Sequence, residues 1–252
     1  GFSRNLTVLN NEINLAMGPR GDDNQGAGAG LIGVWARNIP SPVRVSDNVI
    51  LGAFIGVRLN DANVGDAPTS LARGSSVTGN YVVCAQVSLN LDGDARIGAI
   101  DVASDESTVA HNKVFYGFLY YVGIHVTGSR CDVTANLAVA LGQQPSVLGP
   151  IGIQIGDQSA TNDDNPDENT NGVVLGTIVT GNIVSGLQHG VLVMNADDVT
   201  VASNVVEAEE GSLSYGVGLF QVRSGSVSDN RIRNGLAGVL GTRGRLNRVA
   251  NN

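Results

Sequence analysis

The chain has 252 residues, a formal net charge of −8 and an isoelectric point near 4.7. An acidic chain repels phosphate backbones, so we expect no nucleic acid among its partners. No apolar run approaches the roughly 18 residues that a membrane-spanning helix needs, so we expect no membrane span in this sequence.

Nine repeats of the four letters Val-x-x-Asn organise the chain from end to end. Successive asparagines are separated by 37, 32, 32, 24, 46, 22, 26 and 22 residues, which is a base period of 22 with residues inserted in some repeats. A fixed period of this size is typical of a solenoid, in which each repeat packs only on its neighbours. The asparagines are Asn11, Asn48, Asn80, Asn112, Asn136, Asn182, Asn204, Asn230 and Asn252.

Each of these asparagines is predicted to lie at a bend between two short strands. A valine stands three residues before every one, and the residue two places after each of the first eight is apolar. The residues one and three places after the Asn are mixed, as Tyr81, Lys113 and Glu207 illustrate. This alternation is expected of a strand with one face in the core and the other pointing outward.

A glycine opens a further alternating run in most repeats, eight residues past the Asn in the shortest ones. Examples are Gly56-Val-Arg-Leu, Gly123-Ile-His-Val and Gly190-Val-Leu-Val. Two or three short strands per repeat, with no helical period, predict an all-β fold. We predict a single-stranded, right-handed parallel β-helix of about eight to nine turns, in which the asparagines stack as an internal ladder.

The predicted β-helix covers residues 1–252 as one domain, because the repeat continues without a linker. Neither end shows the polar cap that solenoids use for solubility, so we expect either a fragment of a longer protein or ends that meet another subunit. End-to-end or side-by-side homo-oligomers are both compatible with this pattern. The two cysteines, Cys84 and Cys131, are predicted to lie about two turns apart, roughly 10 Å, which is too far for a disulfide. We expect free thiols buried in the core.

The repeat pattern resembles the right-handed parallel β-helix repeat family, the pectate-lyase-like fold, from about Leu6 to Asn252. No specific enzyme subfamily is matched. Polygalacturonase-like enzymes carry an Asp-Asp pair upstream of Gly-His-Gly, whereas here Gln188-His189-Gly190 precedes Asp197-Asp198. The resemblance implies an extracellular or cell-surface setting in bacteria or phage. Polysaccharide enzymes and non-catalytic surface proteins both have this fold, so the resemblance does not choose between them.

Insertions predict where chemistry would lie, since functional groups in solenoids cluster on loops of one face. Three long insertions, 60–75, 90–106 and 156–175, are predicted to follow the Gly-started strand on turns two, three and five. They would wall a groove over turns two to five, whereas the later turns are close to the bare period. The floor of the groove would be the outward positions of the Gly-started strands, predicted turn by turn as Trp35, Arg58, Ser88, His125, Gln154, Leu192, Gly218 and Leu240.

The candidate site residues follow from this groove. Arg58, His125, Asp92 and Asp157 are candidate catalytic residues. Carboxylates one or two turns apart meet the roughly 5 to 9.5 Å that glycoside hydrolysis needs, and Arg58 is a candidate base for a lyase-like reaction. Trp and Arg suit the stacking of a sugar ring and the pairing of a carboxylate. The candidate substrate-binding residues are Trp35, Gln154, Asn60, Asn90, Tyr120 and Tyr121.

An acidic stretch, residues 157–169, is a candidate Ca²⁺ site through Asp163, Asp164 and Asp167, because hard cations prefer carboxylate and amide oxygens. A solvated loop would have the same composition, so this cofactor is left open.

Two functions remain as hypotheses. The first is an extracellular carbohydrate-active β-helix that binds or cleaves an extended, acidic polysaccharide; as an enzyme it would be a polysaccharide lyase or a glycoside hydrolase. The alternative is a non-catalytic structural or adhesive solenoid module of a bacterial surface protein or phage tail fibre. The one-sided insertions favour the first hypothesis, and the unmatched catalytic motifs favour the second.

Overall fold

Three parallel sheets run side by side along the molecule. The computed structural model describes residues 6–15, 32–37, 39–59, 72–84, 97–117, 121–141, 150–157, 173–187, 189–208, 215–245 and 247–252. These residues form 26 strands and no helix, and every strand pair is parallel between successive turns. The predicted parallel β-helix is therefore confirmed.

Sheet A holds the strands that precede each Asn of the repeat. Its members are β1 (Leu6–Leu9), β4 (Val43–Ser46), β7 (Ser76–Thr78), β10 (Thr108–Ala110), β13 (Asp132–Thr134), β17 (Ile178–Thr180), β20 (Thr200–Ala202), β23 (Ser226–Ser228) and β26 (Arg248–Ala250).

Sheet B holds the strands that follow each Asn directly. Its members are β2 (Glu12–Asn14), β5 (Val49–Ala53), β8 (Tyr81–Cys84), β11 (Lys113–Tyr116), β14 (Leu137–Ala140), β18 (Ile183–Leu187), β21 (Val205–Ala208) and β24 (Arg231–Arg233).

Sheet C holds the Gly-started strands. Its members are β3 (Ile32–Ala36), β6 (Ile55–Leu59), β9 (Ile97–Val102), β12 (Tyr121–Val126), β15 (Ile151–Ile155), β19 (His189–Asp197), β22 (Tyr215–Arg223) and β25 (Ala237–Thr242), while the short β16 (Val174–Leu175) pairs with the end of β19. Turn one comprises β1 to β3, turn two β4 to β6, turn three β7 to β9, turn four β10 to β12 and turn five β13 to β15. Turns six, seven and eight are β17 to β19, β20 to β22 and β23 to β25, and β26 begins a ninth.

The predicted Asn ladder is present along the corner between sheets A and B. Asn182, for example, donates from its backbone N and from Nδ2 to Oδ1 of Asn204, at 3.0 and 2.9 Å. Its Nδ2 also donates to the carbonyl of Val133 in the turn before, at 2.9 Å. The same contacts recur at each step from Asn48 to Asn230, and these asparagines are buried. The ladder thus supplies hydrogen-bond partners to backbone groups that the bend removes from the sheets.

The bend itself requires a left-handed residue before each Asn. All nine of these residues have a positive φ between 52° and 67°: Asn10, Asp47, Gly79, His111, Ala135, Gly181, Ser203, Asp229 and Asn251. Asn, Asp and Gly are the residue types that tolerate this conformation best. The repeat therefore favours short polar residues or glycine at this position.

Glycine opens the strands of sheet C because that corner is crowded. A Cβ at Gly56 would lie 2.3 Å from Cγ1 of Val82, the sheet B side chain of the next turn. A Cβ at Gly190 would lie 2.3 Å from Cγ1 of Val206 in the same relation. Glycine therefore recurs in sheet C because the strands pack closely on the apolar residue that stands two places after each Asn.

The core between the three sheets is aliphatic. Buried columns include Val45, Val77 and Val109 from sheet A, and Val57 and Ile100 from sheet C. Cys84 and Cys131 are free and buried, as the sequence predicts, and burial raises the pKa of each thiol to about 12. None of the described residues forms a helix long and apolar enough to cross a membrane.

Candidate functional site

A polar column crosses the outer face of sheet C over turns one to five. In the strand register, Trp35 pairs with Arg58, Arg58 with Asp101, Asp101 with His125, and His125 with Gln154. The column continues through Leu192, Gly218 and Leu240 in turns six to eight. Seven of the eight predicted column residues are therefore in register, and the column changes from polar and aromatic side chains to leucine and glycine between turns five and six.

In turn three the sequence-based assignment was wrong. The strand of sheet C in that turn is β9, so Asp101 occupies the column position that was predicted for Ser88. Much of the predicted insertion 90–106 therefore belongs to the strand and the turn after it, and Ser88 lies outside the described residues. Ala99 stands in register with Gly56, so the glycine that marks the other strands is replaced there. Counting back from the ladder finds the strand, because Asp101 precedes Asn112 by 11 residues, as His125 precedes Asn136 by 11.

One carboxylate links two cationic side chains in this column. Asp101 Oδ2 lies 3.1 Å from Nε of Arg58, and Oδ1 lies 3.2 Å from Nδ1 of His125. Both contacts are ion pairs by distance, although their angles depart from those of aligned hydrogen bonds. Because the three residues stand on successive turns, the sheet register alone brings them together.

The far side of the imidazole faces an amide. Gln154 Nε2 donates to the carbonyl of Gly156 at 3.0 Å and lies 3.4 Å from Nε2 of His125. With the amide oriented in this way, its second hydrogen faces His125 Nε2. The two ring nitrogens therefore have different neighbours: Nδ1 faces the Asp101 carboxylate and Nε2 faces the Gln154 amide.

The pKa of His125 reflects opposing effects. Burial acts to lower it, but the contact with Asp101, the charges of Asp101 and Asp157, and the Gly156 backbone together raise the pKa above its usual value. A carboxylate close to an imidazole stabilises the protonated ring. The column therefore holds an oriented histidine whose positive form is favoured by neighbouring negative charge.

Exposure falls along the column from turn one to turn five. Trp35 is 48% exposed, and Cζ of Arg37 lies 5.5 Å from the centroid of its ring. The Arg58 side chain is 12% exposed, whereas Asp101, His125 and Gln154 are 3%, 2% and 0% exposed. Over these five turns, solvent reaches the column at Trp35 and at the edge of Arg58.

The remaining predicted site residues divide into two groups. Asp157 follows β15 by two residues, its carbonyl accepts a hydrogen bond from Asn195 Nδ2 at 2.7 Å, and its charge acts on His125. Tyr121 is the first residue of β12 and pairs with Ile97. The remaining predicted residues lie outside the described residues: Asn60, Asn90, Asp92, Tyr120, Asp163, Asp164 and Asp167. The predicted Ca²⁺ site and any carboxylate pair that includes Asp92 therefore lie outside them as well.

An apolar cluster adjoins the polar column. Val122, Ile151, Leu192 and Met194 are buried together, and Tyr215 and Phe220 pack against them. The ring of His189 stacks on that of Tyr215, with centroids 4.1 Å apart. Within the described part of the chain, no three His, Cys, Asp or Glu side chains come together as a metal site would require.

Comparison with known proteins adds no relative. A scan against protein-family models, a search of curated proteins and a search of solved structures each gave no match. The functional argument therefore rests on the residues of this chain.

Proposed function

We propose that the outer face of sheet C over turns one to five binds an extended, acidic polysaccharide. The observation that supports this proposal is the row of Trp35, Arg58, Asp101, His125 and Gln154, one residue per turn along the solenoid axis. Successive strands of a sheet are about 4.8 Å apart, so the row offers contacts at regular intervals to a chain lying along the axis.

Trp35 and Arg58 make the first contacts in this proposal. An exposed indole can stack on the face of a sugar ring, and Arg37 above the same ring adds positive charge beside it. A guanidinium recognises carboxylates through several N–H donors, which gives Arg58 a role in selecting acidic sugars. Its ion pair with Asp101 fixes the position of the group.

Acid–base chemistry, if the chain cleaves the polymer, is assigned to His125 rather than to Arg58. An arginine remains protonated at ordinary pH and is a poor base. The imidazole is oriented by Asp101 at Nδ1, so Nε2 is the atom that exchanges a proton with a substrate. A substrate reaches Nε2 by displacing the Gln154 amide, which lies against it.

The test is a binding and cleavage screen against polyuronates and neutral glycans. Affinity electrophoresis measures retention by each polymer, and ultraviolet absorbance and reducing-end assays detect lyase and hydrolase products. Trp35→Ala and Arg58→Ala should each weaken retention at least tenfold. Arg44→Ala is the matched control, since Arg44 is an exposed arginine of the same turn on sheet A.

A structural solenoid module is the second candidate function, and the burial of the column favours it. Asp101, His125 and Gln154 are almost inaccessible and contact one another, as expected of a network that stabilises the outer face of a sheet. Absence of both retention and product across the screen would select this candidate. In that case Asp101→Asn would change thermal stability alone.

A further inference from the structure

The outer face of sheet B carries a group of apolar side chains that are exposed to solvent. Two columns of outward side chains run along it, one and three residues after each Asn. From turn one to turn eight the first column is Glu12, Val49, Tyr81, Lys113, Leu137, Ile183, Val205 and Arg231. The second column is Asn14, Leu51, Val83, Phe115, Val139, Ser185, Glu207 and Arg233.

Turns two to seven of this face are apolar with few interruptions. Val49, Tyr81, Ile183 and Val205 are 38%, 39%, 49% and 37% exposed, and the rings of Tyr81 and Phe115 are 5.4 Å apart. Leu51, Val83, Leu137 and Val139 fill the register positions between them and are partly exposed. We name these eight residues, together with Phe115, the sheet B patch.

The sheet B patch is not a general property of the solenoid surface. The corresponding outward column of sheet A is polar except at one position: Thr7, Arg44, Ser76, Thr108, Asp132, Ile178, Thr200, Ser226 and Arg248. A contiguous apolar patch on an otherwise polar protein marks an interaction surface. Apolar residues have accumulated on one of two sheets that share the same strand geometry.

We propose that the sheet B patch binds a second copy of this chain, with the two solenoids side by side and antiparallel. The charges at the two ends of the patch determine how the two copies are oriented relative to each other. Glu12 stands at turn one, and Arg231 and Arg233 stand at turn eight. All three are exposed on the same face, so a partner face of the same sequence offers the opposite charge at the opposite end.

A two-fold axis parallel to the strands, between turns four and five, places turn n of one copy on turn 9 − n of the other. Glu12 then faces the second copy's Arg231, Val49 faces the second copy's Val205, and Tyr81 faces the second copy's Ile183. Lys113 lies over Leu137 of the other copy, where its aliphatic stem contacts the leucine and its ammonium group reaches the edge of the interface. In the second column Phe115 faces the second copy's Val139, whereas Leu51 and Val83 face its Glu207 and Ser185. The apolar contacts therefore lie mainly in the first column and at the centre of the patch.

The other two-fold arrangement conflicts with the same charges. An axis parallel to the solenoid places each turn on its own counterpart, which brings Arg231 and Arg233 of both copies together at one end. Four guanidinium groups in one turn repel each other, and the two Glu12 carboxylates at the other end do the same. The antiparallel arrangement replaces both repulsions by ion pairs.

The expected interface is small. Eight strands about 4.8 Å apart span roughly 34 Å, and four residues per strand span about 13 Å, so each copy contributes on the order of 450 Å² of flat face. Stable interfaces commonly contribute about 800 Å² per partner. We therefore expect a dimer that dissociates on dilution into the micromolar range.

Sedimentation velocity over a range of concentrations tests the interface. The wild-type chain should shift from monomer to dimer as concentration rises, and Ile183→Glu should remain monomeric. Ile178→Glu is the matched control and should dimerise as wild type does, because Ile178 is 41% exposed in the same turn but lies on sheet A. Circular dichroism establishes that both variants keep the fold. A wild-type chain that stays monomeric, or a dimer that survives Ile183→Glu, overturns the proposal.

Charge exchange and cysteine pairing test the orientation. Glu12→Arg and Arg231→Glu should each weaken dimerisation, and the double variant should restore it. An equimolar mixture of Val49→Cys and Val205→Cys should form disulfide-linked heterodimers, whereas Val49→Cys alone should not cross-link. Cross-linking of Val49→Cys with itself would overturn the antiparallel arrangement. The dimer proposal does not depend on polysaccharide binding, which concerns a different sheet.

Discussion

Nδ1 of His125 lies 3.2 Å from Oδ1 of Asp101, and both residues are almost completely buried on what is the outer face of a sheet. The same carboxylate holds Arg58 one turn earlier. Removing ionic groups from water is unfavourable unless they compensate one another. The pair is therefore the part of the column whose substitution has the most predictable effect.

Asp101→Asn should lower the free energy of unfolding by about 3 kcal/mol, because it leaves two buried or nearly buried cationic groups without their carboxylate. Urea unfolding at neutral pH measures the change. Asp132→Asn is the control, since Asp132 is an exposed carboxylate of sheet A, and its effect should be within about 0.5 kcal/mol. Equal effects of the two substitutions would show that the ion pairs contribute nothing to stability.

The contribution of His125 to stability should decrease as the pH rises, as expected for a histidine whose pKa is raised by folding. The pKa of His125 is higher in the folded chain than in the unfolded chain, so its contribution is fully present below about 6.5, the unfolded value. It is lost as the pH rises through the folded pKa. The difference in unfolding free energy between wild type and His125→Asn should therefore shrink as the pH increases from about 6 to 9. A difference that grows over this range would contradict the assignment.

Asn182→Leu should destabilise the chain by about 3 kcal/mol or more, because several buried groups lose a partner at once. Asn182 Oδ1 accepts from N and Nδ2 of Asn136, and its Nδ2 donates to Asn204 and Val133. Asn11→Leu should cost much less, since Asn11 is exposed and its Nδ2 donates only to Leu9 and Asn48 among the described residues. Chemical denaturation of the two variants compares a central and a terminal step of the ladder.

The left-handed position before each Asn offers a matched pair of substitutions. Gly181 has a φ of 63°, and a Cβ there would meet no atom within 4 Å, so Gly181→Ala should destabilise by about 1 kcal/mol through the backbone alone. Ala135 occupies the same position with a φ of 53°, so Ala135→Gly should raise the melting temperature. Differential scanning calorimetry measures both shifts. Changes of the same sign in the two variants would contradict this explanation.

The fold was predictable because its cause repeats. The valine, the Asn and the glycine each answer a local requirement that recurs in every turn: a core contact, a bend that needs hydrogen-bond partners, and a crowded corner. The strand of turn three was missed because Ala99, and not a glycine, stands opposite Gly56 there. A strand of sheet C can be located from the sequence by this rule only where its glycine is present.

The site was predictable in position and not in environment. Strand alternation placed Trp35, Arg58, His125 and Gln154 in one outward column, and the register confirms it. Asp101 was missed with its strand, so the ion pairs that organise the column were missed too. His125 and Gln154 are nevertheless buried, and alternation within a strand carries no information about the burial of an outward position.

The ladder has one further consequence, which is electrical. From Asn48 to Asn230, each Nδ2 donates to the Asn of the following turn, and each Oδ1 accepts from the Asn of the preceding turn. The side-chain amides are therefore aligned in one direction along the axis. Aligned dipoles polarise one another and add, leaving partial negative charge toward turn one and partial positive charge toward turn nine. In two solenoids that lie side by side and antiparallel, the negative end of each ladder lies beside the positive end of the other. The resulting attraction acts along their whole length.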